Sequence, residues 1–266
     1  MLYREQRQAA AKETKALTAG IIQTTRGGST ESTFYTTLAL PLLPSSSNGS
    51  KKKTRVYVEN GDSLTIAQRL LSTSPAAKIG VLNMASERRP GGGWMRGSLA
   101  QEEALCLRST LAVTLKPSYY PLPPLGAIWS PGVVVFRDEV VNDCRVFEPV
   151  ERFVVSVVSV AGLRRPRLSE DEQDYRLLQD VETMENKIRQ MLRIMATNQI
   201  THCVLGALGC GVFGNPPKRV AGLFRQVILE EEFAGYFDEI VFAVLDPKGE
   251  GNLRIFQEVV GDFVIE

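Results

Sequence analysis

The chain has 266 residues, of which 44% are hydrophobic, with 31 basic and 30 acidic side chains. A chain of this length can bury one sizeable core with at most a small accessory lobe, and a net charge near zero gives no global electrostatic basis for binding duplex nucleic acid or an anionic membrane. No apolar run approaches the ~20 residues of a membrane helix and the first residues contain no hydrophobic signal core, so we expect an intracellular protein of the cytoplasm, the nucleus or both.

The N-terminal residues are predicted to form a helix outside the core. Strong helix formers extend from Tyr3 to Ala19, and Gly20 follows them. Residues 44–55, PSSSNGSKKKTR, then predict a flexible connection. Its basic end, residues 51–55, is compatible with a nuclear import signal, although such a run is more often a solvated loop before a strand.

The chain is therefore predicted to divide into an accessory segment, residues 1–53, packed on a core formed by residues 54–266. The core begins with an alternating, β-branched strand at Thr54–Glu59 and a short helix at Leu64–Leu71. A second apolar strand follows at Lys78–Met84. Parallel strands joined by a helix are the expected α/β arrangement.

A glycine-rich loop directly follows that second strand. Gly91–Gly93 can adopt positive φ and approach a ligand with no Cβ in the way. Downstream, Ser98 and Gln101 predict a capping box with Ser98 as N-cap, which places Glu102 and Glu103 in the first turns of a helix, directed towards the glycines. Acidic residues in a first turn commonly serve only the helix dipole, so the pattern alone leaves a purely structural interpretation open.

The remaining elements follow from short apolar runs and one long amphipathic pattern whose methionines are typical of a core. The predicted strands are Ile128–Ser130, Val133–Phe136, Phe153–Val160, His202–Leu208 and Glu239–Leu245; the long helix is Asp174–Asn198, and Leu253–Val260 closes the chain.

A second glycine loop occupies Gly209–Gly214, with Asn215 as the predicted N-cap and Pro216 at the start of a helix. The amides of such a loop form an anion site suited to a diphosphate. The loop also satisfies GxGxxG, which invites a nicotinamide- or flavin-binding interpretation. That fingerprint belongs in the first βαβ unit with an acid ~20 residues on, whereas this loop lies near the end of the chain and the acid ending the next strand, Asp246, is too distant.

Other residue types exclude several chemistries. The four cysteines have no CxxC spacing and the single histidine, His202, has no adjacent nucleophile, so we expect no metal, no cofactor and no disulfide framework. We therefore expect carboxylates to serve as the acid and base groups. The cysteines are Cys106, Cys144, Cys203 and Cys210.

Three glycines, seven residues and then Gln101-Glu102-Glu103 resemble the signature of poly(ADP-ribose) glycohydrolases, in which three glycines precede Gln-Glu-Glu by six to eight residues. Further similar stretches extend along nearly the whole chain in the order of the microbial-type enzymes: YREQRQAAAKET, LNMAS, EEALCLRSTL, SPGVVVFRD, GALGCGVFGNPP and FAVLD. The resemblance implies a macrodomain-like three-layer α/β/α sandwich with a central mixed sheet and an N-terminal helical extension.

The resemblance also implies roles for the site residues. Glu103 takes the place of the catalytic acid, and the negative charge of Glu102 favours a neutral Glu103 carboxyl while the helix N-terminus opposes it. Glu102 would orient ribose hydroxyls. The implied substrate-binding residues are Asp62, which would meet the adenine amino group unless it is only a helix cap, Asn83, Ser86, Gly91, Gly92, Gly93, Gln101, Gly209, Cys210, Gly211, Val212, Phe213 and Gly214.

The implied activity is hydrolysis of ribose–ribose O-glycosidic bonds of poly(ADP-ribose), connected with the response to DNA damage. A mono-ADP-ribosyl-protein hydrolase and a non-catalytic ADP-ribose-binding macrodomain are the alternatives. Expected partners are poly(ADP-ribose), ADP-ribosylated proteins and the product ADP-ribose, with the protein a monomer. Where related enzymes have a proline- and asparagine-containing turn, this chain has AGLRRPRLSE, whose basic residues Arg164 to Arg167 either meet substrate or form a solvated loop.

Overall fold

The computed structural model describes residues 2–38, 40–44, 53–246, 249 and 251–265. Most of the predicted flexible connection, including the start of its basic run, lies outside the described residues. The helices are α1 Arg4–Thr24, α2 Ser63–Thr73, α3 Gln101–Arg108, α4 Leu178–Thr197, α5 Pro217–Ile228 and α6 Asn252–Val259. The strands are β1 Thr33–Tyr35, β2 Thr54–Glu59, β3 Ile79–Met84, β4 Ala127–Val135, β5 Phe153–Val160, β6 His202–Leu205, β7 Glu239–Ala243 and β8 Phe263–Ile265.

These strands form one mixed sheet in the order β1-β4-β5-β3-β6-β7-β2-β8. The five central strands, from β5 to β2, are parallel to their neighbours, while β1, β4 and β8 pair antiparallel at the edges. All five parallel strands therefore point their carboxyl ends to the same edge of the sheet. The predicted mixed central sheet is confirmed.

Helices cover both faces of the sheet because successive side chains of the central strands point in opposite directions. Val81 packs with Leu64 of α2 and Leu105 of α3. Its neighbour Leu82 packs on the other face, in a cluster with residues of α4, α5 and α6, among them Met184 and Phe224. The resulting three-layer sandwich confirms the predicted fold class, and the methionines of α4 are core residues as predicted.

Several predicted boundaries are wrong. Helix α1 does not stop before Gly20 but continues to Thr24, because Ile21 packs with Val134 and Phe136 and tertiary contact outweighs the ~1 kcal/mol cost of a helical glycine. The two predicted strands at residues 128–136 are one strand, β4, with an irregular register between Ser130 and Val133.

Other strands and helices are shorter than predicted. The strands predicted at residues 202–208 and 239–245 correspond to the shorter strands β6 (His202–Leu205) and β7 (Glu239–Ala243). The helix predicted at residues 174–198 corresponds to the shorter helix α4 (Leu178–Thr197). The three-residue strands β1 and β8 had no sequence signal, because three residues are too few to show a period of two.

The N-terminal segment is closely associated with the core. Helix α1 buries Ala11, Thr14, Thr18 and Ile21, and Thr14 donates a hydrogen bond to the Leu107 carbonyl of α3 (2.8 Å). Strand β1 pairs with β4 and so extends the central sheet. The division of the chain after residue 53 stays a prediction.

Candidate active site

We define the crevice as the space between the segments that leave the carboxyl ends of β3 and β6, which are adjacent and parallel. The chain leaves β3 towards α3 on one face of the sheet and leaves β6 towards α5 on the other face. Ligands of α/β proteins bind at such switch points. The two glycine loops predicted from the sequence start on either side of this crevice.

The first glycine loop lies directly against both glutamates. Gly91 and Gly92 have φ of 65° and 56°, in the left-handed region that favours glycine. A Cβ on Gly92 would lie 2.5 Å from Oε1 of Glu103 and 3.0 Å from Oε2 of Glu102. The predicted convergence of the two carboxylates on the glycine loop is therefore present.

The start of α3 differs from the prediction. Its N-cap is Ala100, and Glu103 accepts hydrogen bonds from the Ala100 amide (3.0 Å) and the Gly93 amide (2.9 Å). Ser98 cannot cap the helix because its Oγ packs against Gly93, where a Cβ would lie 2.4 Å from it. Glu103 thus fixes both the helix start and the loop with its own carboxylate.

Glu102 is the buried member of the pair, with 4% of its surface exposed. Its Oε2 accepts from the Ser86 amide (2.8 Å), and the Asn83 side-chain amide lies 3.5 Å from its Oε1. Burial raises the pKa of Glu102 to about 8, the charge of Glu103 adds to this, and the donors at Ser86, Asn83 and Gly91 oppose it. The sequence argument placed the elevated pKa on Glu103; the structure places one on Glu102, because that position of α3 faces β3.

Gln101 and Asn83 join α3 to the sheet. Gln101 accepts from the Met84 amide (2.9 Å) and donates to the Leu82 carbonyl (2.6 Å), so its amide continues the hydrogen bonding at the end of β3. Asn83 is fully buried and donates to Ser159 Oγ (2.9 Å), while its Oδ1 has no hydrogen-bond partner. These contacts hold the glutamate-bearing turn at a fixed height above β3.

Asp62 caps α2 by accepting from the Leu64 and Thr65 amides at 2.8 and 3.2 Å. The same oxygen forms an ion pair with Arg108, whose side chain is 1% exposed. Sequence reasoning missed Arg108, which ties the end of α3 to the start of α2. The simple helix-cap interpretation of Asp62 is present in the structure, and its contact with adenine stays a prediction.

The second glycine loop is held from within by Asn215, which is 2% exposed. Asn215 donates to the carbonyls of Leu163 (2.6 Å) and Gly209 (3.0 Å) and accepts from the Tyr175 hydroxyl (2.9 Å). The predicted N-cap role of Asn215 is wrong, because Pro216 occupies that position and the amide side chain is used inside the loop. Gly209 and Gly214 supply the left-handed turns, with φ of 75° and 69°.

Three successive amides of this loop are available to a ligand. Within the described part of the chain, the N–H groups of Gly211, Val212 and Phe213 have no hydrogen-bond acceptor. No heavy atom lies within 4 Å of a Cβ built on Gly211, and Val212 is 79% exposed, whereas Cys210 packs on the core. The loop and the start of α5 thus have the composition of an anion site.

Sequence reasoning missed two features beside the paired glutamates and the first loop. The Tyr120 hydroxyl is buried without a hydrogen-bond partner, and burial, followed by the charge of Glu102, raises the pKa of Tyr120. From α1, Arg7 donates to the Gly97 carbonyl (2.9 Å), while Arg4 and Gln8 each donate to the Arg96 carbonyl (3.1 Å). For the hydrogen bonds from α1, the only indication in the sequence was the polar composition of YREQRQ.

Among the described residues, no cluster of three or more His, Cys, Asp or Glu side chains is arranged to hold a metal ion. In the same part of the chain, no helix has the length and apolarity needed to cross a membrane.

Fold and site together define a class of α/β/α protein. It has a pair of carboxylates on one side of the crevice at the ends of β3 and β6, and a glycine loop with free amides, suited to an anion, on the other. The family model of the microbial-type PARG catalytic domain matches residues 4–138. The chain belongs to this family of microbial-type poly(ADP-ribose) glycohydrolases. No curated protein matches the chain.

Solved structures similar to this chain include two bacterial enzymes. A poly(ADP-ribose) glycohydrolase from Thermomonospora curvata is 29% identical, with a TM-score of 0.82 over 96% of this chain and 99% of the other. The same enzyme bound to the inhibitor ADP-HPD has a TM-score of 0.79 at 29% identity and the same coverage. The Deinococcus radiodurans enzyme in complex with ADP-ribose has a TM-score of 0.66 at 28% identity, covering 94% of this chain and 91% of the other.

Proposed function

We propose that this protein is a poly(ADP-ribose) glycohydrolase, a glycosidase that cleaves the ribose–ribose O-glycosidic bond of poly(ADP-ribose) and releases ADP-ribose. The observation that carries the proposal is the close approach of the Glu102 and Glu103 carboxylates to the Cα of Gly92, together with a second loop that has three free amides. Similarity over nearly the whole chain to enzymes solved with ADP-ribose and with ADP-HPD supports it.

Glu103 is the proposed acid because it is the more exposed carboxyl of the pair and accepts a hydrogen bond from Gly93 of the first glycine loop. In its protonated form Glu103 gives a proton to the leaving ribose oxygen as the bond from that oxygen to the anomeric carbon breaks, and positive charge develops on the ribose ring. The resulting carboxylate takes a proton from the water that attacks the anomeric carbon. Glu103 ends protonated again, and one water is consumed for each ADP-ribose released.

Glu102 is the proposed orienting group. With a pKa of about 8, this buried carboxyl keeps its proton near neutral pH and can donate a hydrogen bond to a ribose hydroxyl. Asn83, Ser86 and Gln101 fix its position through the contacts described above. A ribose misplaced by ~1 Å can cost ~10²-fold in rate, so this support matters for turnover.

The diphosphate is proposed to bind the free amides of Gly211, Val212 and Phe213, with Gly209, Cys210 and Gly214 shaping the loop. The Phe213 ring would pack on the ribose beside the scissile bond and exclude water. Asp62 is the proposed contact of the adenine amino group. The glycines at 91–93 would border the same sugar from the opposite side.

We further propose that the protein acts inside the cell as a monomer on ADP-ribosylated proteins. Both carboxylates and both glycine loops come from one chain, so the site needs no residue from a second subunit. Light scattering of the purified protein should give the mass of a single chain, and a stable dimer would contradict this part of the proposal.

Incubation of the pure protein with defined substrates tests the function. Poly(ADP-ribose) should be converted to ADP-ribose, detected by chromatography, and the Glu103→Gln variant should leave the polymer intact. Release of ADP-ribose from mono-ADP-ribosylated protein, with the polymer untouched, would instead identify a mono-ADP-ribosyl-protein hydrolase. Binding of ADP-ribose without any release would identify a non-catalytic reader.

A further inference from the structure

A bridge of three side chains spans the crevice. Arg164, in the loop after β5, lies with Nη1 3.3 Å from Oε1 of Glu87, which precedes the first glycine loop. The guanidinium carbon of the same arginine lies 5.5 Å from the centre of the Phe213 ring in the second glycine loop. This Arg164 bridge, formed by Glu87, Arg164 and Phe213, therefore joins the two halves of the site.

The Glu87 end of the bridge is firmly anchored. The Glu87 carbonyl accepts from the Leu122 amide (2.8 Å), and Arg88 Nε lies 3.1 Å from the same Oε1. The other carboxylate oxygen, Oε2, is buried without a hydrogen-bond partner. A buried carboxylate oxygen is costly to leave uncompensated, and the guanidinium groups of Arg88 and Arg164 beside Oε1 offset that cost.

The Phe213 end is held by backbone as well as by side chain. Arg165 donates its amide hydrogen to the Phe213 carbonyl (2.7 Å). Arg165 itself has φ of 49°, a left-handed conformation that is uncommon for a residue with a side chain. Such strain persists only where surrounding contacts determine the backbone, and the hydrogen bond to Phe213 is one of those contacts.

We propose that Arg164 is a positioning residue that holds the Phe213 ring over the ribose next to the scissile bond. The guanidinium carbon lies over the Phe213 ring while Nη1 lies beside the Glu87 carboxylate, and the compact ammonium of a lysine lacks the planar fork that makes both contacts. Since the guanidinium is already engaged on both sides, it acts through Phe213 and not as a phosphate ligand. This inference rests on the proposed function and identifies Arg164 as a residue that sets the geometry of the same site.

A double-mutant cycle tests it. Poly(ADP-ribose) turnover and ADP-ribose affinity are measured for Arg164→Ala, Phe213→Ala and the double variant, with Arg164→Lys as the conservative change. Arg167→Ala is the matched control, because it removes a likewise exposed positive charge three residues further on whose side chain makes none of the bridge contacts. Melting temperatures verify that every variant folds.

Arg164→Ala should lower kcat/KM about three- to tenfold, the range of an exposed cation–π contact with an added ion pair, and Arg164→Lys should restore little of it. In the Phe213→Ala background, removing Arg164 should change kcat/KM less than twofold. Equal losses in both backgrounds would mean that Arg164 contacts substrate directly, and an Arg164→Ala variant with wild-type kinetics, or a comparable loss in Arg167→Ala, would also overturn the inference.

Failure of the proposed function gives a different result. If the wild-type protein releases no ADP-ribose, the proposed function fails, and the same cycle is then read from ADP-ribose affinity measured by calorimetry. Coupling between Arg164 and Phe213 in that affinity would keep the positioning role, and additive effects would remove it.

Discussion

Replacement of Gly92 by alanine should damage turnover far more than it damages folding. The added Cβ would lie 2.5 Å from Glu103 Oε1 and 3.0 Å from Glu102 Oε2, whereas ordinary van der Waals contact begins at 3.4 Å. One or both carboxylates must therefore move by roughly 1 Å, a displacement that can reduce the rate ~10²-fold. The left-handed backbone of Gly92 adds strain of about 1–3 kcal/mol to the folded state.

Three measurements check this expectation. Turnover of poly(ADP-ribose) should fall about a hundredfold, the free energy of unfolding from urea denaturation should fall by about 1–3 kcal/mol, and ADP-ribose affinity should change less than turnover. Gly222→Ala is the matched control, because Gly222 lies within α5 with no heavy atom within 4 Å of its Cβ position. That variant should keep full activity and gain up to about 1 kcal/mol of stability.

Gly92→Ala with more than about half of the wild-type turnover would refute the reasoning, since the carboxylates would then tolerate a displacement of roughly 1 Å without loss of function. A protein that does not fold at all would be recognised from its urea transition, and Gly92→Ala would then report on the loop and not on the chemistry.

Three further results are expected. The folded state keeps the Glu102 proton up to a pH of about 8, whereas the unfolded chain releases it near 4.5, so the stability that this group contributes is complete below pH 4.5 and is lost as pH rises towards 8. Relative to Glu102→Gln, the free energy of unfolding of the wild-type protein should therefore fall by roughly 5 kcal/mol at most across this window. Stability curves that run parallel for the two proteins would contradict the assigned burial of Glu102. Gly211→Glu places a negative charge among the free amides in open space, so it should fold normally and lose ADP-ribose binding in calorimetry; retained micromolar binding would place the ligand elsewhere. Phe213→Ala should lower activity far more than melting temperature, because the ring is only partly buried, and the reverse pattern would make Phe213 a core plug.

The sequence was sufficient for features that depend on local pattern. Strands β2 and β5 match their predicted bounds because alternation and a continuous valine-rich run are strong signals. The convergence of the first glycine loop on the glutamates also follows from spacing, since a helix that starts a few residues after Gly93 must direct its first turn back to the loop. The fold class came from the resemblance of several stretches in their order along the chain.

Features that depend on contacts between distant residues were not predictable. Serine is a residue type that favours the N-cap position, but the Ser98 hydroxyl packs against Gly93. The carboxylate of Glu103 accepts the amide hydrogen at the helix start instead. The raised pKa of Glu102 arises from burial against β3, which no local pattern reveals. The pairing of Arg108 with Asp62 and the Arg164 bridge join segments far apart in the chain, so only the folded geometry shows them.

The most direct test of the account is turnover of poly(ADP-ribose) by the wild-type protein and by Glu103→Gln, measured as ADP-ribose released under single-turnover conditions. Because glutamine keeps one acceptor for the amides of Gly93 and Ala100 but has no proton to donate to a leaving oxygen, the variant should fold and bind ADP-ribose within several-fold of wild type. Its turnover should be lower by about 10³-fold or more. Turnover like that of wild type in Glu103→Gln, in a protein that binds ADP-ribose normally, would contradict the assignment of Glu103 as the catalytic acid.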